Sequence, residues 1–294
     1  MEPREQRLVI LLADISGYTR FMVQNHLSAI HGQLVINALI ETLLREVDIP
    51  LQLQEIEGDA VFLYATHPGD DRSWQAVLVE VRAKLLRFFD VFVEGMVTLQ
   101  ESTLCKCGIC AHADEMALKI IVHTGRAVFH SIGGRQQVSG ADVILAHRLL
   151  KNSVPGHEYL LMSEPAYRDL GAQMGLVFAA GSESYDEFGT VATYVHRMSE
   201  TTEQRRDSFY AKEPAELASR GREYAALTLL PSLTAAVDQL RRPSSDAGWL
   251  KRVGFALTIA IASPLLFAVL RFVTPRKLLA QRAARAAANA RAAS

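Results

Sequence analysis

Two short stretches constrain this chain more than any others. Ala13-Asp14-Ile15-Ser16-Gly17-Tyr18-Thr19 closes the apolar run Leu8–Ala13, and Glu55-Ile56-Glu57-Gly58-Asp59-Ala60-Val61-Phe62 leads into another. A short apolar run bounded by turn residues reads as a strand buried on both faces. Each aspartate therefore stands at the end or start of a buried strand, beside a glycine turn. If the two strands are neighbours, Asp14 and Asp59 lie side by side. Two carboxylates so placed either bind divalent cations or repel each other. Hard cations such as Mg²⁺ use one or two carboxylates plus substrate phosphates, and paired metal ions serve phosphoryl transfer. The plainer reading stays open: aspartate also favours turns because it hydrogen-bonds nearby backbone N–H groups.

The rest of the first 200 residues alternates strand and helix patterns. Ser28–Val47 has apolar residues at helical spacing and stops before Pro50. Leu51–Glu57 and Ala60–Thr66 read as a hairpin around Gly58-Asp59. Ser73–Val93 is a second amphipathic helix with Ser73 as its N-cap, and Thr98–Glu115 is irregular. Leu118–Thr124 and Ala127–Ile132 read as strands on either side of Gly125, and Gly140–Lys151 as a third helix. Glu158–Met162, Gly175–Ala180 and Thr190–His196 are further strands, with a short helix at Glu164–Leu170. Hairpins within such an alternation predict an α+β fold: one mostly antiparallel sheet covered by helices.

Charge divides the chain. Residues 1–200 hold 16 Lys/Arg against 25 Asp/Glu, a net of −9. Beyond Asp246 there is no acid, while eight bases follow. A basic tail on an acidic body suits an anionic surface. Lipid fits better than nucleic acid, because Val253–Leu270 is uncharged for eighteen residues and would span about 27 Å as a helix. Trp249, Lys251, Arg252, Arg271, Arg276 and Lys277 flank it as interface anchors, and Pro264 would kink it. A single span, a re-entrant hairpin and a buried or dimerising helix all remain open. With no signal peptide visible at the charged N-terminus, the expectation is a cytoplasmic main domain attached to the membrane. The segments expected are a domain over 1–200 with a Cys-rich loop at 98–116, a helical linker at 201–248, a transmembrane or re-entrant segment at 249–274, and a basic Ala/Arg-rich tail at 275–294.

The three cysteines, Cys105, Cys107 and Cys110, fall within six residues of one another, which argues against a disulfide framework. With His112 they complete a tetrahedral zinc set. His123 or a second subunit's cysteine as the fourth ligand, an iron–sulfur cluster, and free thiols with one disulfide are the alternatives.

Taken together, Asp14-Ile15, Gly58-Asp59, His123-Thr124-Gly125 and Gly140-Ala141-Asp142-Val143-Ile144-Leu145-Ala146-His147-Arg148 resemble, in order and spacing, the class III nucleotidyl cyclase catalytic domain over about residues 6–198. The resemblance implies a ferredoxin-like cyclase fold working as a head-to-tail homodimer. It implies two Mg²⁺ or Mn²⁺ ions held by Asp14, Asp59 and the backbone carbonyl of Ile15, and a nucleoside triphosphate whose 3′-hydroxyl attacks its own α-phosphate. Glu55 and Gln137 fall at the base-reading positions; a glutamate there goes with guanine, whereas Gln137 fits neither usual residue. Arg148 matches the transition-state arginine. Ile144 stands where the family has an asparagine, and the phosphate-binding lysine expected before the last hairpin is not visible. The expectation is thus a diverged, membrane-tethered cyclase-like domain that binds nucleotide and metal with weak or absent cyclisation. The alternatives are an active guanylate or adenylate cyclase and a non-catalytic dimerising scaffold.

Overall fold

The computed structural model describes residues 3–17, 29–102, 116–222 and 249–292. The chain forms two compact units. The first comprises residues 1–26, 39–92 and 114–202, and the second residues 27–38, 93–113 and 203–294.

The first unit is built on a sheet. The strands are β1 (Arg4–Ser16), β2 (Gln52–Glu57), β3 (Ala60–Thr66), β4 (Ala117–Ile132), β5 (Arg135–Ser139), β6 (Tyr159–Ser163), β7 (Ala179–Tyr185) and β8 (Gly189–Arg197). Their order is β2-β3-β1-β4-β6-β8-β7, with β5 paired to the far half of β4. All pairings are antiparallel except β4 with β6. The helices are α1 (Ala29–Leu44), α2 (Asp71–Ser102), α3 (Ala141–Leu150), α4 (Glu164–Asp169), α5 (Ser199–Ala211) and α6 (Trp249–Ala292). This is the expected mixed α+β architecture.

β1 explains why the sheet is covered on both sides. Side chains alternate along a strand, yet Leu8 through Ala13 are all buried. Leu8, Ile10 and Leu12 join Phe62, Tyr64, Ile121, Phe129, Leu161 and Val195 in one core with Val143, Ala146 and Leu149 of α3. Val9, Leu11, Ala13 and Ile15 face the opposite way and are equally buried, as are Trp74, Leu78, Val81 and Leu85 of α2. A fully buried leucine or isoleucine contributes roughly 1.5–3 kcal/mol, so slipping β1 by one residue would misplace a whole set of contacts and bring Asp14 to the wrong face.

Three local expectations are corrected. β4 is one continuous strand through Gly125, which does not have positive φ; the reversal comes at Gly133-Gly134, both at positive φ (58° and 77°), as a type I′ hairpin requires. The α2 helix starts earlier, where Asp70 Oδ1 accepts the Ser73 N–H at 2.9 Å; Asp70 rather than Ser73 caps it. The strand expected at Gly175–Ala180 lies later, at Ala179–Tyr185, an exposed edge strand with no apolar periodicity.

The second unit has its own small core: Val93, Val97, Phe209, Tyr210, Leu217 and Leu278. Glu94, nearly buried, is paired with Lys212 at 3.0 Å and Arg220 at 3.4 Å. Arg285, from the expected basic tail, bonds Glu203 at 2.6 Å and Asp207 at 2.5 Å and lies over the Tyr210 ring. The segment expected to span a membrane lies within α6, which runs on through Pro264 and Pro275. Among the described residues, no helix is long and apolar enough to cross a membrane. Most side chains of the 253–270 run lie outside the described residues, and so do Cys105, Cys107, Cys110 and His112 of the expected zinc site.

Candidate functional site

The two aspartates meet as their sequence context predicts. β1 pairs with β3 so that Asp14 faces Ala60. Gly58, at φ 69°, and Asp59 form the two-residue turn between β2 and β3. Glycine at the first turn position with positive φ is the pattern of a type II′ hairpin. The turn is fastened to β1 by the Ile15 N–H, which donates to the Asp59 carbonyl at 3.2 Å. Ile15 as a whole is fully buried. Because Leu8, Ile10 and Leu12 belong to the α3-side core, strand alternation puts Asp14 on that same face. Burial, and then the charge of Asp14, push the Asp59 carboxyl up to about 6. The two half-buried carboxylates thus repel each other.

The cation beside this pair belongs to none of the sequence motifs. Lys119 lies directly opposite Asp14 in the β1–β4 register, and its Nζ sits 2.9 Å from Asp14 Oδ2. Side-chain exposure is 14% for Asp14 and 19% for Lys119. Lys119 also donates to the Leu150 carbonyl at 3.4 Å, at the C-terminal end of α3, where a helix carries partial negative charge. Its partner across β6 is Tyr159, whose hydroxyl donates to Asn152 Oδ1 at 3.0 Å. A lone lysine inside Leu118-Lys119-Ile120-Ile121 was the signal that marked it.

Glu55 and Gln137, the positions expected to read a base, are linked only through their neighbours. Gln54 Nε2 donates to the Gln136 carbonyl at 3.3 Å, one residue away from Glu55 on β2 and from Gln137 on β5. Glu55 follows a bulge in β2 and stands opposite Phe62, hence on the α3 face with Asp14; it is exposed and Gln137 half-buried. Glu57, on the same face, lies 3.6 Å from His147 of α3.

Arg148 and Ile144, one helical turn apart, are both on the exposed side of α3. Arg148 bonds Glu187 Oε1 at 3.0 Å, from the turn between β7 and β8. Ile144 is 54% exposed. Thus Asp14, Asp59 and Lys119 form one group and Arg148 with Glu187 another.

The His123-Thr124-Gly125 stretch serves the scaffold. His123 is buried; its Nδ1 lies 2.7 Å from Ser163 Oγ and its Nε2 3.3 Å from Asp142 Oδ1. Asp142 Oδ2 accepts the Arg126 N–H at 2.6 Å, and these bonds hold the Asp142 carboxyl below its usual range. A Cβ at Gly125 would lie only 2.3 Å from Asp142 Oδ2. Glycine is required there because a carboxylate occupies the space, and that carboxylate fixes the first turn of α3.

As to metal, no group of three or more His, Cys, Asp or Glu side chains is gathered among the described residues. The donors present are two carboxylates and main-chain oxygen. That set suits a hard cation, such as Mg²⁺ or Mn²⁺, that keeps water or phosphate oxygens in its remaining positions.

Comparison with known proteins agrees with the fold. A family model described as a protein of unknown function (DUF2652) matches residues 36–159. The uncharacterized protein Rv2561/Rv2562 of Mycobacterium tuberculosis is 29% identical over 144 residues, which are 49% of this chain and 65% of that protein; the chain therefore spans about two thirds of that relative. Among solved structures, the adenylyl cyclase CyaB from P. aeruginosa superposes with a TM-score of 0.50 at 16% identity, covering 67% of this chain and 96% of that one. A bacterial light-regulated adenylyl cyclase gives a TM-score of 0.50 at 14% identity, covering 72% of this chain and 59% of the other. At such identities the likeness is one of fold: the chain is similar in fold to these adenylyl cyclases.

Proposed function

We propose that this chain is a diverged nucleotidyl cyclase-like protein that binds a nucleoside triphosphate with a divalent cation at Asp14 and Asp59, and cyclises it weakly or not at all. The observation that carries the reading is the half-buried carboxylate pair, fastened by the Ile15–Asp59 backbone bond, in which burial first and the Asp14 charge second raise the Asp59 carboxyl. Asp14, Asp59 and the Ile15 carbonyl would hold the cation, which when bound would neutralise charge on the triphosphate. Glu55, with Gln137 nearby, would face the base, and a carboxylate accepting the guanine N–H groups favours GTP over ATP.

Weak turnover follows from what is missing. Ile144 puts an exposed hydrocarbon where the resemblance expects an amide. Loss of one transition-state donor costs about 3–4 kcal/mol, or 10²–10³ in rate. The retained Arg148 supports the second reading, an active cyclase. Arg148 bonds Glu187 rather than any member of the carboxylate group, so in either reading a second copy in a head-to-tail homodimer would bring them together. A dimerising scaffold without ligand is what remains if nothing binds.

The test uses the full chain. GTP and ATP are offered with Mn²⁺ or Mg²⁺, binding is followed by calorimetry and product by chromatography, and Asp14→Ala is the control. Nucleotide binding that needs the cation and is lost in Asp14→Ala, with little or no cyclic product, is the expected result. Efficient turnover favours the second reading, and no binding of either ligand overturns both. Two further parts rest on sequence. Membrane attachment rests on the uncharged run 253–270, in which Leu257, Ile261 and Leu265 are exposed, as is Phe272 just beyond it; liposome flotation tests it. Zinc at Cys105, Cys107, Cys110 and His112 is tested by elemental analysis.

A further inference from the structure

We infer that Lys119 is a built-in counter-ion that occupies the carboxylate site until a divalent cation displaces it, so that the chain sets its own threshold for metal. The inference rests on the proposed cation site at Asp14 and Asp59 and adds a regulatory element to it.

Four observations lead there. The Lys119 ammonium touches Asp14 Oδ2, the carboxylate oxygen nearest any cation in the group. Both side chains are largely shielded, so the attraction is stronger than at a surface pair. The register fixes the Lys119 backbone on both sides, opposite Asp14 on β1 and Tyr159 on β6, so its side chain starts beside Asp14. Its second contact is the Leu150 carbonyl, which a displaced ammonium would still have as an anchor.

A divalent cation entering between Asp14 and Asp59 meets one ammonium already in place. A cation bound at Asp14 repels the ammonium 2.9 Å from Oδ2 in a place of low effective dielectric, which favours its withdrawal towards Leu150 and solvent. The metal gains two carboxylates, but the Asp14–Lys119 pair is lost. Removing the ammonium removes that opposing contribution. Lys119 also links the carboxylates to the end of α3, the helix that bears Arg148, so its withdrawal would be felt at that helix.

Calorimetry of the full chain with Mn²⁺ alone, without nucleotide, tests this on four proteins: wild type, Lys119→Met, Lys119→Arg and Asp14→Asn. Lys119→Met keeps length without charge and is expected to bind Mn²⁺ about tenfold more tightly than wild type. Lys119→Arg keeps the charge and is expected to stay within about threefold of wild type, which separates charge from packing and serves if the methionine protein does not fold. Asp14→Asn is expected to lose binding. Equal or weaker binding by a folded Lys119→Met, with Asp14→Asn still defective, overturns the counter-ion role and leaves the cation site standing. If Lys119→Met does not fold, tighter binding by Lys119→Arg than by wild type likewise overturns it. Absence of binding in every protein overturns the site and the counter-ion together.

Discussion

Gly125→Ala tests the packing that places α3, and with it Arg148. The added methyl would lie 2.3 Å from Asp142 Oδ2, 2.4 Å from Cγ and 2.6 Å from Cβ, so the side chain as a whole must leave, not merely rotate. Leaving forfeits the Arg126 N–H bond and the His123 contact. Hydrogen bonds to a charged group contribute about 1.5–3 kcal/mol, and forced overpacking adds about 1–3 kcal/mol. The expected cost is about 3–5 kcal/mol, a large part of a typical domain's stability. Asp142→Gly should cost about 3 kcal/mol, from the same lost bonds plus up to about 1 kcal/mol for glycine in a helix. The two effects share one cause, so they should not add. On the Asp142→Gly background the three nearest atoms are gone, and Gly125→Ala should then cost less than about 1 kcal/mol, a coupling of about 2–4 kcal/mol. Urea unfolding followed by the fluorescence of buried Trp74, in a Trp249→Phe background so that one indole reports, gives the four midpoints. Equal cost of Gly125→Ala in both backgrounds would refute the argument that Asp142 is the reason for the glycine.

Other outcomes follow from single groups. The folded chain holds the Asp59 proton up to about pH 6, against 3.8 for an unperturbed carboxyl; this contribution is therefore complete below about pH 4 and is lost as pH rises through 6. Asp59→Asn should raise the urea midpoint at pH 7.5 relative to wild type and not at pH 4, while abolishing Mn²⁺ binding; an equal shift at both pH values would remove the repulsion argument. Arg148→Ala breaks a half-exposed pair and should change stability by less than about 0.5 kcal/mol, while any cyclic product, measured by chromatography, falls 10²–10³-fold. Leu278→Ala, in the core of the second unit, should cost about 2–5 kcal/mol and raise hydrogen exchange across Phe209, Tyr210 and Leu217; unchanged protection there would mean that α6 does not hold that unit together.

What the sequence made legible was local or periodic. The apolar run of β1, the Gly58-Asp59 turn and the helical spacing of α1 and α3 announce themselves, and with them the place where Asp14 and Asp59 meet. Gly125 misled because its role is set from a distance: a glycine between apolar runs reads as a turn, whereas the real cause is the Asp142 carboxylate on another element. The turn was at Gly133-Gly134, which carried the stronger hairpin signal. β7 was misplaced because an edge strand exposed on both sides has no apolar period to read. Lys119 was visible as an anomaly in an apolar strand, but its partner depends on the β1–β4 register, which is tertiary information. The Glu187 partner of Arg148 likewise comes from a hairpin 39 residues on.

The charged groups at issue already have opposite charges from their own chain, and burial decides which pair resists exchange. Arg148 and Glu187 are exposed by 46% and 58%, where an ion pair contributes about 0–1 kcal/mol and salt screens it; a triphosphate or a second copy can take the arginine at little cost. Asp14 and Lys119, at 14% and 19%, sit where the effective dielectric is low and salt reaches poorly. The arginine is therefore the easy step and the cation site the hard one. If so, raising salt from 50 to 500 mM should release Arg148 without freeing Asp14, and nucleotide affinity at saturating Mn²⁺ should fall with salt far more than Mn²⁺ affinity changes on substituting Lys119→Arg. Nucleotide binding insensitive to salt would place the triphosphate away from Arg148 and leave the half-buried carboxylates, alone among these groups, with a ligand to explain.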